Sequence, residues 1–230
     1  MFSGKKVLVI GASGVLGNEL CSQLMAAGAH ILGTAKSAES ADRLRADLFA
    51  RLLVDLESPA SITALTDYLL ASPDSIDGVV LASGLVAFGS VGETPIEVTN
   101  RLMQVNMLGQ VQLLRALLPK LQASAVMGNN PFVVSISGVI SEKPMAGLAA
   151  YSASKTALHG YYSAASKEFK KHGVNWIDAR PGHTETGLAG RAIFGTAPNF
   201  GAGLEPAHVV NRILAGIQNS ESDLPSASFM

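Results

Sequence analysis

The run Val7-Leu8-Val9-Ile10, followed by the turn Gly11-Ala-Ser-Gly14-Val-Leu-Gly17, decides the fold. Four consecutive apolar residues between a lysine and a glycine predict a strand that is buried on both faces. Apolar side chains recur every three or four residues after this turn and predict a helix from Val15 to Ala27. A strand, a glycine-rich turn and a helix in immediate succession are typical of a parallel sheet with crossover helices.

The same alternation continues along the chain. Further strands are predicted at His30–Thr34, Leu52–Val54, Ile76–Ala82, Phe132–Ile136 and Val174–Ala179. Helices are predicted at Glu39–Ala46, Pro59–Ala71, Pro95–Leu121, Tyr151–Lys171 and Glu205–Ile217. The expected fold is α/β, a doubly wound parallel sheet of the Rossmann type, in a single domain over residues 1–230. Residues 187–204 predict a mobile apolar flap for the substrate, and residues 219–230 predict a polar tail.

Composition excludes several classes of protein. Lysine plus arginine number 17 against 18 aspartates and glutamates, a net charge of −1 without the basic excess of a nucleic-acid-binding domain. The hydrophobic fraction of 48% argues against a disordered chain, and the single cysteine argues against a disulfide framework. No apolar run is long enough for a membrane span or a signal peptide, so we expect a cytoplasmic protein with no membrane partner.

The glycine-rich turn is the first candidate binding element. Ligands of doubly wound sheets bind beyond the carboxyl ends of the strands, where this turn lies. Glycines at 11, 14 and 17 let backbone N–H groups approach a pyrophosphate at the start of a helix. The sequence therefore predicts a dinucleotide site whose turn residues include Gly11, Ser13, Gly14, Val15, Leu16 and Gly17.

The end of the second predicted strand bears on cofactor choice. An acidic residue there would bind the ribose 2′-hydroxyl of NAD and repel a 2′-phosphate. This chain instead has Thr34-Ala-Lys36-Ser37, with no carboxylate before Glu39. Lys36 and the hydroxyls of Ser37 and Thr34 predict NADP (NADPH) rather than NAD. The alternative is that Lys36 is a solvated surface residue.

Tyr151 and Lys155 are the candidate acid–base pair. They lie four residues apart on a predicted helix and therefore share one face. An ammonium about 4 Å from a phenol contributes roughly 4 kcal/mol at an effective dielectric near 20, enough to lower the phenol pKa by about three. We therefore expect Lys155 to bring the Tyr151 phenol toward neutrality.

Together these residues resemble the short-chain dehydrogenase/reductase family over nearly the whole chain. The resemblance implies that Tyr151 and Lys155 are catalytic, with Lys155 also holding the ribose hydroxyls. It implies that Asn106, within Val105-Asn-Met-Leu-Gly109, positions a water that relays protons to Lys155. Further cofactor contacts are implied at Asp55 and Leu56, at Ala82, Ser83 and Gly84, and at Pro181, Gly182, Thr184 and Thr186.

The chain also departs from the family pattern. The family serine usually lies thirteen residues before the tyrosine, a position that Gly138 occupies here. Ser135 and Ser137 share one face of the predicted strand, and Ser137 is nearer its carboxyl end. We expect Ser137 to supply the hydroxyl that polarises a carbonyl, with Ser141, or no serine at all, as the alternatives. The segment Leu81-Ala-Ser-Gly84 lacks the family's two asparagines, and no closing Gly-Gly strand is evident.

The resulting interpretation is an NADP-dependent oxidoreductase that reduces a carbonyl to an alcohol, with Tyr151 as proton donor. The flap predicts a small-molecule substrate with apolar surface, and the two long helices predict a homodimer or higher homo-oligomer. The five histidines lack metal-ligand spacing, so no metal is expected; His183 is either a substrate contact or a loop residue. The alternative function is a cofactor-binding sensor or scaffold with a degraded catalytic site.

Overall fold

The fold is built on one seven-stranded sheet. The computed structural model describes all residues from 1 to 230. In chain order the strands are β1 (Lys6–Ile10), β2 (His30–Ala35), β3 (Ala50–Leu53), β4 (Gly78–Leu81), β5 (Phe132–Ile136), β6 (Asn175–Ala179) and β7 (Asp223–Leu224). Neighbouring strands are all parallel, in the order β3-β2-β1-β4-β5-β6-β7. The strand order reverses between β1 and β4, which is where such sheets bind ligands.

Seven helices connect these strands. They are α1 (Val15–Ala26), α2 (Ala38–Ala41), α3 (Pro59–Ala71), α4 (Ile96–Met103), α5 (Gly109–Val126), α6 (Ala149–Lys171) and α7 (Pro206–Gln218). The predicted doubly wound parallel fold is confirmed. None of the helices combines the length and the apolar character that crossing a membrane would require.

The sheet is buried on both faces because its strands alternate side chains between two apolar clusters. Val7 and Val9 of β1 point into the cluster formed with α1 and α7. Leu8 and Ile10 point into the opposite cluster, which α3, α5 and α6 cover. Every side chain of the opening run is therefore removed from water, which is why the run is apolar without interruption.

Three sequence predictions about elements are wrong. The predicted polar tail contains β7, which pairs Asp223 with Asp178 and Leu224 with Ala179. It also contains Phe229, which is fully buried. Two residues of strand carry no periodicity, so the pattern could not indicate this seventh strand. The helix predicted at 39–46 is the single turn α2.

The third correction concerns the helix predicted over Pro95–Leu121. The structure divides it into α4, a π-helical segment at Gln104–Leu108, and α5, which continues to Val126. The π segment inserts a wider turn, a feature often found at functional sites. Here it places Asn106 in the protein interior.

The predicted flap at 187–204 is anchored at its centre. Ile193 N–H donates to the carbonyl of Val86, and Phe88 N–H donates to the carbonyl of Phe194. Gly195 (φ +68°) passes so close that a Cβ atom there would lie 1.8 Å from the Phe88 carbonyl oxygen. The loop therefore covers the Val86–Phe88 segment, while its mobility stays a prediction.

Candidate active site

A cleft of about 390 Å³ lies at the carboxyl edge of the sheet. It runs past the ends of β1, β2, β4, β5 and β6, five places where the sequence predicts ligand contacts. Nearly all of the predicted cofactor and catalytic residues line this cleft; Asn106 and Ser37 do not. The topology therefore brings together residues that are up to 175 positions apart, from Gly11 to Thr186.

The glycine-rich turn at one end fits a phosphate group. Gly11 has a φ of +84°, and a Cβ on Gly17 would lie 2.1 Å from the carbonyl oxygen of Gly11. Gly14 is the N-cap of α1, and no side chain caps the helix. The first N–H groups of α1 are therefore open to an anion from the cleft, and Val15 at this end is 46% exposed.

The hydroxyls of Thr34 and Ser37 both have hydrogen-bond partners within the chain. Thr34 Oγ1 is buried and accepts a hydrogen bond of 3.1 Å from Gly11 N–H, so it holds the glycine turn in place. The Ser37 hydroxyl caps α2 by accepting from Ser40 N–H, and Ser37 does not line the cleft. Ser37 therefore does not contribute to the cleft in this conformation, and the binding of a 2′-phosphate by either hydroxyl stays a prediction.

Lys36 does line the cleft, but it is paired. Its Nζ lies 2.5 Å from Glu57 Oε1 and 3.6 Å from Asp55 Oδ1. Arg101 of α4 donates to both oxygens of Glu57, at 2.9 and 3.2 Å. Arg101 and Lys36 hold the pKa of Glu57 at about 2, so this carboxylate stays charged at neutral pH. The sequence did not single out Glu57, because its basic partners are 21 and 44 residues away.

The β4 turn brings three residues close to the glycine turn and the catalytic helix. Ala82, Ser83 and Gly84 all line the cleft, and Ser83 accepts a hydrogen bond at its carbonyl from Gln110. A Cβ on Gly84 would lie 3.2 Å from Asn106 Oδ1 and 3.5 Å from Lys155 Nζ. A larger residue at position 84 would therefore press on the Asn106 amide, which would have to shift by a few tenths of an ångström.

Asn106 is fully buried, and each polar atom of its side chain has a hydrogen-bond partner. Its Oδ1 accepts from Leu85 N–H at 2.8 Å, and its Nδ2 donates to the Leu85 carbonyl and to Ser154 Oγ. The Asn106 side chain therefore fixes the Leu85 segment against α6. The expectation that Asn106 positions a relay water stays a prediction.

Tyr151 and Lys155 lie on one face of α6, as predicted, with both residues lining the cleft. Lys155 is only 7% exposed, and its Nζ donates to the Ile136 carbonyl at 2.7 Å. Burial lowers the pKa of Lys155 to about 8, against the smaller opposing effect of Asp178. Burial raises the pKa of Tyr151 to about 12. The lowering of the Tyr151 pKa that we expected is therefore absent, and the phenol is protonated at neutral pH.

The Ser137 hydroxyl points away from the cleft. It is fully buried and donates to Asp178 Oδ2 at 2.6 Å, across the strand pair β5–β6. Ser141 donates its own proton to the Gly138 carbonyl at 2.8 Å. A hydroxyl has one proton to give, so neither serine offers a donor to a carbonyl in the cleft. This geometry therefore does not support the expected role of Ser137 as the polarising group.

Asp178 is the centre of a buried polar cluster behind this wall. Besides Ser137 it accepts from Ser135 at 2.8 Å, lies 2.8 Å from His159 Nδ1 and 3.3 Å from Arg180. A fully buried carboxylate needs such partners because unpaired burial of charge is costly. Their presence explains why two serines alternate along β5.

The loop after β6 forms part of the cleft wall. Pro181, Gly182, Thr184 and Thr186 all line it, as predicted. The Pro181 carbonyl accepts from Val139 N–H at 2.9 Å, which fixes the loop to the segment after β5. Thr186 Oγ1 accepts a long bond from Leu188 N–H.

The family model described as short chain dehydrogenase matches residues 5–193, which is most of the chain. The chain belongs to the short-chain dehydrogenase family. By that membership it is an NAD(P)-dependent oxidoreductase, and the resemblance seen in the sequence is confirmed.

Relatives and solved structures agree with the family. The chain is 30% identical over 240 residues to an Anopheles gambiae protein named dehydrogenase/reductase SDR family protein 7-like, covering 96% of this chain and 74% of that one. A Burkholderia cenocepacia short chain dehydrogenase in complex with NADP superposes with a TM-score of 0.83 at 20% identity, over 98% and 89% of the two chains. A Brucella melitensis 3-ketoacyl-(acyl-carrier-protein) reductase complexed with NADH gives a TM-score of 0.87 at 19% identity, with both chains fully covered.

The substrate half of this short-chain dehydrogenase is apolar. Val86, Phe88, Ile140 and Leu148 form a buried cluster, against which Tyr151 and the loop residues Leu188 and Phe200 pack. His183 also lines the cleft, and its ring lies 5.2 Å from the Phe200 ring. The sequence indicated an apolar flap but did not identify Val86 and Phe88, because a glycine-rich loop has no period from which a facing side chain can be inferred.

Proposed function

We propose that this chain is an NADP-dependent carbonyl reductase. The observation that carries the proposal is the placement of Tyr151 and Lys155 between a glycine-rich phosphate turn and an apolar pocket. A reduced nicotinamide cofactor, when bound, supplies the hydride. The phosphate turn and the N–H groups at the start of α1 would hold its diphosphate, as their open geometry supports.

Tyr151 then acts as the proton donor to the oxygen of the reduced carbonyl. A phenol with a pKa of about 12 is protonated at neutral pH, so Tyr151 carries the proton that it would donate. Lys155, held by the Ile136 carbonyl, lies one helical turn away and stabilises the phenolate that remains. Asn106 holds the Leu85 segment that forms the opposite wall.

Lys36 supports NADP over NAD, because its ammonium is the cation at the adenosine end of the cleft. Glu57 and Asp55 compete for it, so a 2′-phosphate must displace at least the Glu57 contact. The neighbours with NADP and with NADH show that this fold accommodates both cofactors, and the preference here is our proposal.

A carbonyl panel with NADPH tests the function, read as loss of nicotinamide absorbance. Tyr151→Phe should lower kcat by about 10² to 10⁴-fold while NADPH still binds. Tyr161→Phe on the same helix is the matched control, because its ring packs on Trp176 away from the cleft. A Tyr151→Phe enzyme within tenfold of the parent would refute the assignment.

One observation favours a second function, a cofactor-binding sensor or scaffold. Gly138 and the inward Ser137 hydroxyl leave no serine hydroxyl beside Tyr151 to donate to a carbonyl in the cleft. Tight NADPH binding with no turnover of a broad carbonyl panel would favour this alternative over the reductase.

We also propose a cytoplasmic, single-domain protein that forms at least a homodimer. The apolar side chains Leu108 and Val126, at the two ends of the α5 region, are 50% and 89% exposed and would gain from burial against a second copy. Light scattering at micromolar concentration should show a dimer or a larger oligomer, and a monomer would contradict this proposal.

A further inference from the structure

The charges in the cleft are unevenly distributed. Its charged lining residues are Lys36, Asp55, Glu57, Lys155 and Arg191. The first three pair with one another at the adenosine end, and Lys155 is engaged by the Ile136 carbonyl. Arg191 is the one charge left in the substrate half, and no carboxylate lies within 4 Å of it. The substrate half therefore carries a single uncompensated positive charge.

Arg191 also has unused hydrogen-bond donors. It ends the short 3-10 turn Ala189–Arg191, and its Nη2 donates one long bond of 3.3 Å to the Thr186 carbonyl. Its Nη1 lies 3.1 Å from the position that a Cβ on Gly187 would occupy, so the guanidinium lies over that glycine. A guanidinium has five N–H donors in a planar fork that matches a carboxylate or phosphate.

Arg191 is itself exposed, whereas the cleft wall beside it is apolar. Leu188, Ala189 and Phe200 of the same loop pack on the cluster of Val86 and Phe88. Glu185, the nearest acidic residue in the chain, is not part of the cleft wall, and it accepts a hydrogen bond from Gly203 N–H instead. A ligand that fills this half would meet apolar side chains along its length and one cation at its end.

We propose that Arg191 binds the anionic group, a carboxylate or phosphate, of a substrate whose body is apolar. The proposal rests on the carbonyl reductase function and names the substrate class for the same site. A charge-assisted, bidentate contact would select such substrates over neutral analogues. The diphosphate of a dinucleotide cofactor is a second anionic group that Arg191 could bind. The N–H groups at the start of α1 already provide a binding site for that diphosphate.

Matched substrate pairs test the proposal. We would compare medium-chain 3-oxo acids with their methyl esters, using NADPH and the full-length protein. The parent enzyme should favour the acid by about tenfold or more in kcat/KM, as expected for a hydrogen bond to a charged group. Arg191→Met should lower kcat/KM for the acid about tenfold more than for the ester and so remove this preference, and Arg191→Lys should restore part of it.

Arg115→Met is the control for loss of a positive charge, because Arg115 is exposed on α5 and has no ion pair. It should leave the acid-to-ester ratio unchanged. Equal use of acid and ester by the parent, or an equal loss for both in Arg191→Met, would overturn the proposal. A fivefold or greater loss of NADPH affinity in Arg191→Met, without a change in the ratio, would assign the guanidinium to the cofactor diphosphate and also overturn it.

Failure of the reductase function can be told apart from failure of this proposal. If no carbonyl compound is turned over, calorimetry with octanoate and the protein–NADP⁺ complex still measures the anion contact. Binding that Arg191→Met abolishes supports the proposal without any catalysis. Octanoate binding that is unchanged in Arg191→Met contradicts it.

Discussion

Replacing Lys155 with methionine should make the ligand-free protein more stable at neutral pH while it abolishes activity. Burial lowers the pKa of Lys155 from its ordinary value of 10.5 to about 8, so the folded state holds the ammonium at a cost. A pKa difference of about 2.5 corresponds to about 3 kcal/mol when both states are protonated. Methionine keeps the apolar stem and removes this cost, but it loses the bond to the Ile136 carbonyl, worth about 1–2 kcal/mol.

The net expectation at pH 7 is a gain of about 1–2 kcal/mol in the free energy of unfolding. Between pH 8 and pH 10.5 the unfolded state of the parent binds more protons than the folded state, so the parent becomes more stable as pH rises. At pH 9.5 only about 1.5 kcal/mol of the cost of burying the Lys155 ammonium remains. Between pH 7 and pH 9.5 the free energy of unfolding of the parent should therefore rise by about 2 kcal/mol relative to that of the variant.

Urea unfolding of both proteins at the two pH values measures this difference directly, and all other titrating groups cancel in the comparison. Lys167→Met, an exposed lysine on the same helix, is the matched control and should show no such pH dependence. A Lys155→Met protein that is less stable at pH 7, by an amount independent of pH, would refute the reasoning. A Lys155→Met protein that is more stable at pH 7 would show that the functional lysine lowers the free energy of unfolding of the parent.

Three further predictions follow from contacts that the sequence did not reveal. The parent enzyme should prefer NADPH over NADH by about tenfold in kcat/KM, and Lys36→Ala should remove most of that preference. Glu57→Gln should increase the preference, because a carboxylate that competes for Lys36 is lost. Equal use of the two cofactors by the parent would contradict both expectations. Ser137→Ala should lower the free energy of unfolding by about 2 kcal/mol, because the bond to Asp178 is lost, and should leave kcat within about threefold of the parent. A 100-fold fall in kcat at an unchanged free energy of unfolding would instead identify Ser137 as the polarising group. Phe229→Ala should cost about 3–5 kcal/mol in urea unfolding because the ring is fully buried, and a loss below about 1 kcal/mol would show that the C-terminal segment is not packed in solution.

Some features were determined by local sequence. The uninterrupted apolar run of β1 indicates burial on both faces whatever its neighbours are, and the glycine-rich turn indicates a tight strand-to-helix connection. The four-residue spacing places Tyr151 and Lys155 on one face of any helix. These inferences succeed because backbone geometry repeats with a fixed period, so that residues close in sequence have a known relative orientation.

The rest depended on partners that are distant in the chain. Ser137 donates to Asp178, which is 41 residues away, and Glu57 accepts from Arg101, which is 44 residues away. No local sequence pattern indicates either of these two pairs. The strand β7 exists because two residues find β6 at the right register. A hydroxyl, a carboxylate or a short strand takes the direction of its strongest available partner, and only the packing of the whole sheet determines which partner is near.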